Sequence, residues 1–135
     1  MTAVLVDANV LLDVITLDER WCEWSSQALE VAADQHRLVL NPIIYAEVSI
    51  HYERIEELEA ALPLGMFDRE PIPYQAAFLA GKCFLAYRRR GGTKRSPLPD
   101  FFIGAHAAVA GYRLLTRDAA RYRTYFPRLP LIAPD

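Results

Sequence analysis

Short continuous apolar runs alternate along this chain with longer stretches whose apolar residues recur at helical spacing. "AVLVD" (3–7) and "RLVL" (37–40) have the uninterrupted Leu and β-branched character of parallel strands covered on both faces, with Asp7 ending the first. "GMFD" (65–68), with a possible extension toward Ile72, reads as an edge strand, and "YRLLT" (112–116) and "LPLIAP" (129–134) as the last two strands. Helices are predicted over "NVLLDVI" (9–15), over 20–34, and from the Asn41–Pro42 pair through about His51, where an N-cap precedes a proline at the first helical position. An acidic helix follows in "ERIEELEAAL" (53–62), and a longer one runs from Pro73 to Arg89 until Gly91–Gly92 breaks it. "LPDFFIGAHAAVAG" (98–111) is apolar on all sides, as a buried helix is, and a short helical turn begins near Asp118. Strands alternating with helices predict an α/β/α sandwich around a parallel sheet.

The 135 residues fit one compact domain, and 53% apolar with 24% charged residues is ordinary globular composition. No apolar run is long enough to span a bilayer and nothing at the start resembles a cleavable signal, so the expected location is cytoplasmic, with no membrane partner. Trp21 and Trp24 read as core anchors, and Cys22 and Cys83 as core thiols. The net charge of −2 hides an asymmetry: residues 1–81 hold 4 basic and 14 acidic side chains, residues 82–135 hold 11 and 3. Since 13 of the 15 basic residues are arginine, whose planar fork suits phosphate, an anionic partner stays open.

Four carboxylates fall where open parallel sheets build their sites, beyond the carboxyl ends of the strands. Asp7 ends the first strand, Asp118 follows "RLLT" by two residues, and Glu47 rides on the helix that Asn41 caps. Asp100 opens the apolar helix. Glu47 shares its helix face with Ile43, Ile44, Ile50 and His51, so it is expected to point inward, where a metal, an arginine or a proton must compensate it. Around Asp100, Gly104 and Ala107 leave room for another element to approach. Singly, each acid has a plainer role in capping or turning the chain, which Asp13, Asp18, Asp34 and Asp68 keep. Together, four acids at one edge would repel and raise one another's pKa without a cation, and an all-oxygen cluster suits Mg²⁺ or Mn²⁺. Asn9 and Thr116 are placed to orient the carboxylates or water. His36, His51 and His106 lack metal-ligand spacing, and His106 reads as a core or interface residue.

"VLVDANVLLD" (4–13), "NPIIYAEVS" (41–49), "LPDFFIGAHAAVAG" and "LLTRDAARYRTYFP" (114–127) together resemble a PIN-domain ribonuclease of the VapC type, the toxin of bacterial type II toxin–antitoxin systems. The resemblance covers nearly the whole chain as a single PIN domain, 1–135, and keeps the acids in the order Asp, Glu, Asp, Asp. It implies a sheet of order 3-2-1-4-5 and Mg²⁺-dependent endoribonuclease activity. Asp7, Glu47, Asp100 and Asp118 would form the acidic pocket, with Asp7 and Asp100 as direct metal ligands and Thr116 as the small hydroxyl residue before the last acid. It also implies a homodimer neutralised by a VapB-type antitoxin.

Candidate RNA contacts are Arg88, Arg89, Arg90, Lys94 and Arg95 in "RRRGGTKR", and Arg117; Arg121 and Arg123 also flank Asp118. Tyr122, Tyr125 and Phe126 are candidates for stacking bases, though packing against the last strand explains them as well. Two other classes compete with a nuclease. A phosphate-accepting receiver domain wants paired acids on one turn and a lysine near the last strand, whereas the only lysines are Lys82 and Lys94. A PIN-like binding module without catalysis would have no need of the full quartet.

Overall fold

The computed structural model describes residues 2–135. Five strands, β1 (Ala3–Val6), β2 (Arg37–Leu40), β3 (Phe67–Arg69), β4 (Arg113–Leu115) and β5 (Leu131–Ile132), form one sheet of order β3-β2-β1-β4-β5. Every pairing is parallel, and Leu5 at the centre lies opposite Val39 on one side and Leu114 on the other. The predicted order and the edge position of the third strand are both observed. All four residues of β1 are buried, which requires helices on both faces of the sheet.

Seven helices provide that cover: α1 (Ala8–Ile15), α2 (Cys22–Gln35), α3 (Pro42–Ser49), α4 (Ile55–Ala61), α5 (Tyr74–Arg89), α6 (Pro99–Ala110) and α7 (Ala120–Tyr125). Asn41 caps α3 as expected, its Oδ1 accepting the Ile44 N–H at 3.0 Å. The helix α6 packs along α5 and lies over β1 and β4, while α1 pairs with α2. A β-carbon at Gly104 would sit 2.4 Å from the Phe126 ring, so the close approach foreseen on α6 is real and Phe126 is what approaches. Gly111 ends α6 in the left-handed conformation, φ 74°, which costs glycine nothing. No described helix is long and apolar enough to cross a membrane.

Some expectations need correction. Trp21 and Trp24 are half-buried rather than core; they meet edge to face with ring centroids 6.4 Å apart and cover the margin of α2, whose only fully buried residues are Ser25 and Ala32. Cys83 is a core thiol, whereas Cys22, in the first turn of the same margin, is partly exposed. The last turn of α6 emerges from the core, leaving Ala108, Val109 and Ala110 exposed. Ile50 and His51 are exposed too, because α3 ends at Ser49 and the chain turns outward; Ile44 and Val48 are its buried side.

Candidate functional site

The carboxyl ends of β1 and β4 and the adjoining ends of α1, α3 and α6 enclose a pocket of about 310 Å³. Asp7, Glu47, Asp100 and Asp118 all line it, with Asn9 beside them and Ile50 and His51 at the margin. The four acids therefore converge as their positions in sequence suggested, but unequally. Asp7 is 4% exposed, Glu47 and Asp100 are half-buried, and Asp118 stands exposed at the rim.

Asp7 caps α1, its Oδ1 accepting the Ala8 N–H at 2.8 Å. Its Oδ2 collects three donors: the Thr116 hydroxyl at 2.9 Å, the Tyr122 hydroxyl at 2.8 Å and, more weakly, Asn9 Nδ2 at 3.4 Å. Thr116 is wholly buried and is itself held by Asn9 Nδ2 at 3.2 Å and by the Asp118 N–H at 3.2 Å. Asn9 and Thr116 thus position Asp7 and the chain at Asp118. Burial pushes the Asp7 carboxyl up to about 6, with the Asp100 charge adding to it and the Tyr122, Thr116 and Ala8 bonds opposing.

Asp100 does not cap its helix. Leu98 occupies the cap without a side-chain bond, and Asp100 sits inside the first turn with its carboxylate turned to the pocket. Its Oδ1 accepts from the Tyr122 hydroxyl at 3.3 Å, and its Oδ2 lies 3.6 Å from Arg121 Nη1. Burial raises its pKa, while Arg121 and Tyr122 counter the shift. Glu47 is the least satisfied of the four, because its Oε1 is buried without any hydrogen-bond partner. Burial, then the charges of Asp7 and Asp100, push Glu47 up to about 7.

Around a single pocket, then, burial raises Asp7, Glu47 and Asp100, a neighbouring acid adds to each of these shifts, and one buried oxygen has no partner at all. A cation would resolve both conditions. Among the described residues no three acids, histidines or cysteines close into a ready-made metal cage. The carboxylates that line the pocket offer only oxygen donors, the chemistry that suits a hard cation such as Mg²⁺.

The sequence profile of the PIN domain matches residues 4–127. The chain belongs to the PIN domain family. PIN domains are generally nucleases that use divalent metals. Similar solved structures are a chain of the VapBC2 complex from Rickettsia felis bound to a promoter DNA fragment (TM-score 0.75, 17% identity, 99% of this chain and 100% of that one) and a chain of VapBC-1 from nontypeable Haemophilus influenzae (TM-score 0.73, 17% identity, 98% of each chain). A chain of a toxin–antitoxin complex from Klebsiella pneumoniae is also similar (TM-score 0.71, 21% identity, 98% of each). At these identities the likeness establishes the PIN fold over the full length. No curated protein matches the sequence.

The basic candidates fall into two groups, Arg88 to Arg95 at the end of α5 and Arg117 in the loop after β4. Arg88 and Arg89 end α5, exposed, with Arg88 Nη1 donating to the Lys94 carbonyl at 3.0 Å; Lys94 and Arg95 are exposed in the loop that follows. Arg90 lies over the Tyr125 ring at 5.1 Å. Arg117 is a different case. Its guanidinium is engaged by Asp13 through two bonds of 2.9 and 3.1 Å and stacks over Trp21, so it is turned away from the pocket. Asp13, read in sequence as an acid that caps or turns the chain, is 2% exposed and also accepts from Ser25 at 2.7 Å. Of the arginines expected to flank Asp118, Arg121 is the one that lies beside the acids, 3.6 Å from Asp100.

Tyr122 packs in the core with a side chain only 1% exposed, and what sequence reasoning missed is its hydroxyl, which reaches Asp7 and Asp100. Its position four residues after Asp118, on the inward side of a short helix, is the signal that was available. His106 is the buried core histidine it was expected to be: Nδ1 lies 3.0 Å from Asn41 Nδ2 and Nε2 3.7 Å from Glu70 Oε1.

Proposed function

We propose that this protein is a divalent-metal-dependent endoribonuclease and the toxin of a VapBC-type toxin–antitoxin pair. The observation that carries the reading is the buried, partnerless Glu47 Oε1 in a pocket shared with Asp7, Asp100 and Asp118. A catalytically silent scaffold gains nothing from such an arrangement, since an unpaired buried carboxylate costs stability. Asp7 and Asp100 are the direct ligands of Mg²⁺, for which Mn²⁺ substitutes, and Glu47 and Asp118 complete the acidic pocket. When bound, the ion polarises a phosphodiester and lowers the pKa of an attacking water.

The chain's own residues do the rest. Thr116, Asn9 and the Ala8 N–H fix the Asp7 carboxylate from three directions, so it reaches the ion without reorganising. Glu47, half-buried beside Asp7 and Asp100, would add its charge to theirs toward a bound cation. A second groove opens beside the pocket, lined by Tyr87, Asp100, Asp118, Arg121, Thr124 and Tyr125. Because it shares two acids with the pocket, a single RNA strand laid along it would bring one phosphate to Asp100 while Arg121 neutralises the next. Arg88, Arg89, Lys94 and Arg95 would hold the strand farther out.

The toxin reading draws support from the structural neighbours, which come from VapBC complexes. A VapB-type antitoxin and a second copy of the chain would cover exposed apolar surface. Tyr74, Phe78 and Leu85, 92%, 69% and 42% exposed, lie on one stripe of α5 and are suited to such cover. The cell compartment would be the cytoplasm, where RNA is available.

The test is cleavage of RNA by purified, antitoxin-free protein. Mg²⁺ or Mn²⁺ should support it, a chelator should stop it, and Asp100→Asn should abolish it while leaving the circular dichroism spectrum intact. Cleavage that persists in both chelator and Asp100→Asn would refute the metal centre. Failure to cleave under any metal, with tight antitoxin binding retained, would favour the binding-module reading.

A further inference from the structure

We propose that Tyr122 is a positioning residue for the metal centre, its buried hydroxyl setting the Asp7 and Asp100 carboxylates for a common ion. The inference rests on the metal reading above and goes beyond it to a residue outside the acidic quartet.

The two aspartates come from different elements. Asp7 is the cap of α1 at the end of β1, and Asp100 is in the first turn of α6. Asp7 is fixed by donors from its own segment and from Thr116, but none of those reaches Asp100. Asp100 has two polar partners, Tyr122 and Arg121, both from α7. Among the described residues, Tyr122 is the only one whose side chain contacts both carboxylates, at 2.8 Å to Asp7 Oδ2 and 3.3 Å to Asp100 Oδ1.

Arg121 is 43% exposed and free to leave; Tyr122 is 1% exposed and cannot. A ring locked in the core is a rigid arm, so its oxygen marks a fixed point between the two acids. The hydroxyl carries one proton. The shorter contact places it on Asp7, and turning about the C–O bond redirects it to Asp100 without moving the ring. A hydroxyl of this kind keeps two like charges together before an ion arrives and orients them once it has. Phenylalanine would fill the same space and preserve the packing, so the oxygen is the part that packing alone does not need.

Tyr122→Phe therefore separates the two roles. Binding of Mn²⁺ is measured on metal-free protein by paramagnetic resonance of the free ion, with no substrate present. The expected result is about tenfold weaker binding than wild type, the low end of what loss of a ligand's orienting partner typically costs. The Mg²⁺ concentration for half-maximal RNA cleavage should rise in step, while the rate at saturating Mg²⁺ stays within roughly threefold of wild type, since the ligands themselves remain. Amide spectra should change only near residues 7, 100, 116 and 122. Mn²⁺ affinity equal to or tighter than wild type would overturn the inference, as would a lost cleavage rate that saturating Mg²⁺ does not restore. Wild-type protein that binds no Mn²⁺ would bring down the metal reading itself; wild-type binding with an unaltered Tyr122→Phe variant would bring down this inference alone.

Discussion

Two buried aspartates six residues apart on the first strand–helix unit have opposite surroundings. Asp13, 2% exposed, faces the Arg117 guanidinium through two bonds and takes a third from Ser25. Asp7, 4% exposed, has only neutral donors, and its nearest charged neighbours are further acids. The partners even come from consecutive residues of one loop, Thr116 turning to Asp7 and Arg117 to Asp13. The first arrangement is electrostatically complete and holds α1, α2 and the loop after β4 together. The second has no cationic side chain bonded to it among the described residues. Burial alone does not distinguish a structural carboxylate from a functional one; the charge of its partners does.

The largest effect should come from removing charge on the incomplete side. Asp7→Asn keeps a side chain able to cap α1, so the fold should survive, but cleavage of RNA should fall more than about 100-fold, beyond the loss expected for a partner one step removed from the metal. If Asp13→Asn lowered the rate per folded molecule as much, the contrast between the two aspartates would fail.

Next comes the complete side. Arg117→Met leaves Asp13 buried with Ser25 as its remaining side-chain partner. Removing one member of a buried pair typically costs 3–5 kcal/mol. Because the guanidinium is 29% exposed, about 2–3 kcal/mol is expected in urea unfolding. Adding Asp13→Leu to that variant should recover most of the loss, as no buried charge would then be left unpaired.

A smaller effect, of opposite sign, concerns pH. Asp7 and Glu47 are raised to about 6 and about 7 from ordinary values of 3.8 and 4.5. The folded metal-free protein therefore holds protons that the unfolded chain releases. Their contribution to stability is fully present below the unfolded values and is lost as pH rises through the folded ones. The unfolding midpoint in chelator should thus fall between about pH 4 and pH 8. Glu47→Gln should flatten that fall and stabilise the metal-free protein at pH 8 by about 1–3 kcal/mol. Titrating the same midpoint with Mg²⁺ should restore the wild type at high pH, but not Asp7→Asn.

How much of this was legible beforehand depends on which atoms carried the information. Backbone patterns were readable: "RLVL" is a strand to the residue, "AVLVD" is a strand that stops one residue sooner because Asp7 caps α1, and the helix read as Pro73–Arg89 is observed as Tyr74–Arg89. The convergence of Asp7, Glu47, Asp100 and Asp118 was readable too, because strand ends and helix starts fix where their Cα atoms lie. Side-chain termini were not. Hydropathy gives Tyr122 a buried ring without saying where its hydroxyl points, and it gives Arg117 a charge without revealing that Asp13 turns inward one helical turn and a half after Asp7. Glu47 was expected to lie on an apolar face with Ile50 and His51. The end of α3 at Ser49 instead put those two residues at the pocket margin, while Glu47 lines the pocket with its Oε1 buried.

The smallest expected effect separates two of the arginines that follow Thr116. Arg117 belongs to the Asp13 side and Arg121 to the Asp7 side, since Arg121 lies 3.6 Å from Asp100 and lines the groove proposed for RNA. Each phosphate neutralised on a single strand contributes about 0.7 to the slope of log affinity against log salt. Arg121→Ala should therefore reduce that slope by roughly 0.7 and weaken binding of a short single-stranded RNA severalfold at low salt. Arg88→Ala should do the same if the strand extends to the end of α5. Arg117→Met, measured at a temperature where it is folded, should leave the slope unchanged, because its charge is already matched by Asp13. Equal slope losses for Arg117 and Arg121 would mean that RNA draws Arg117 away from Asp13, and the division of the two aspartates into structural and functional would no longer hold.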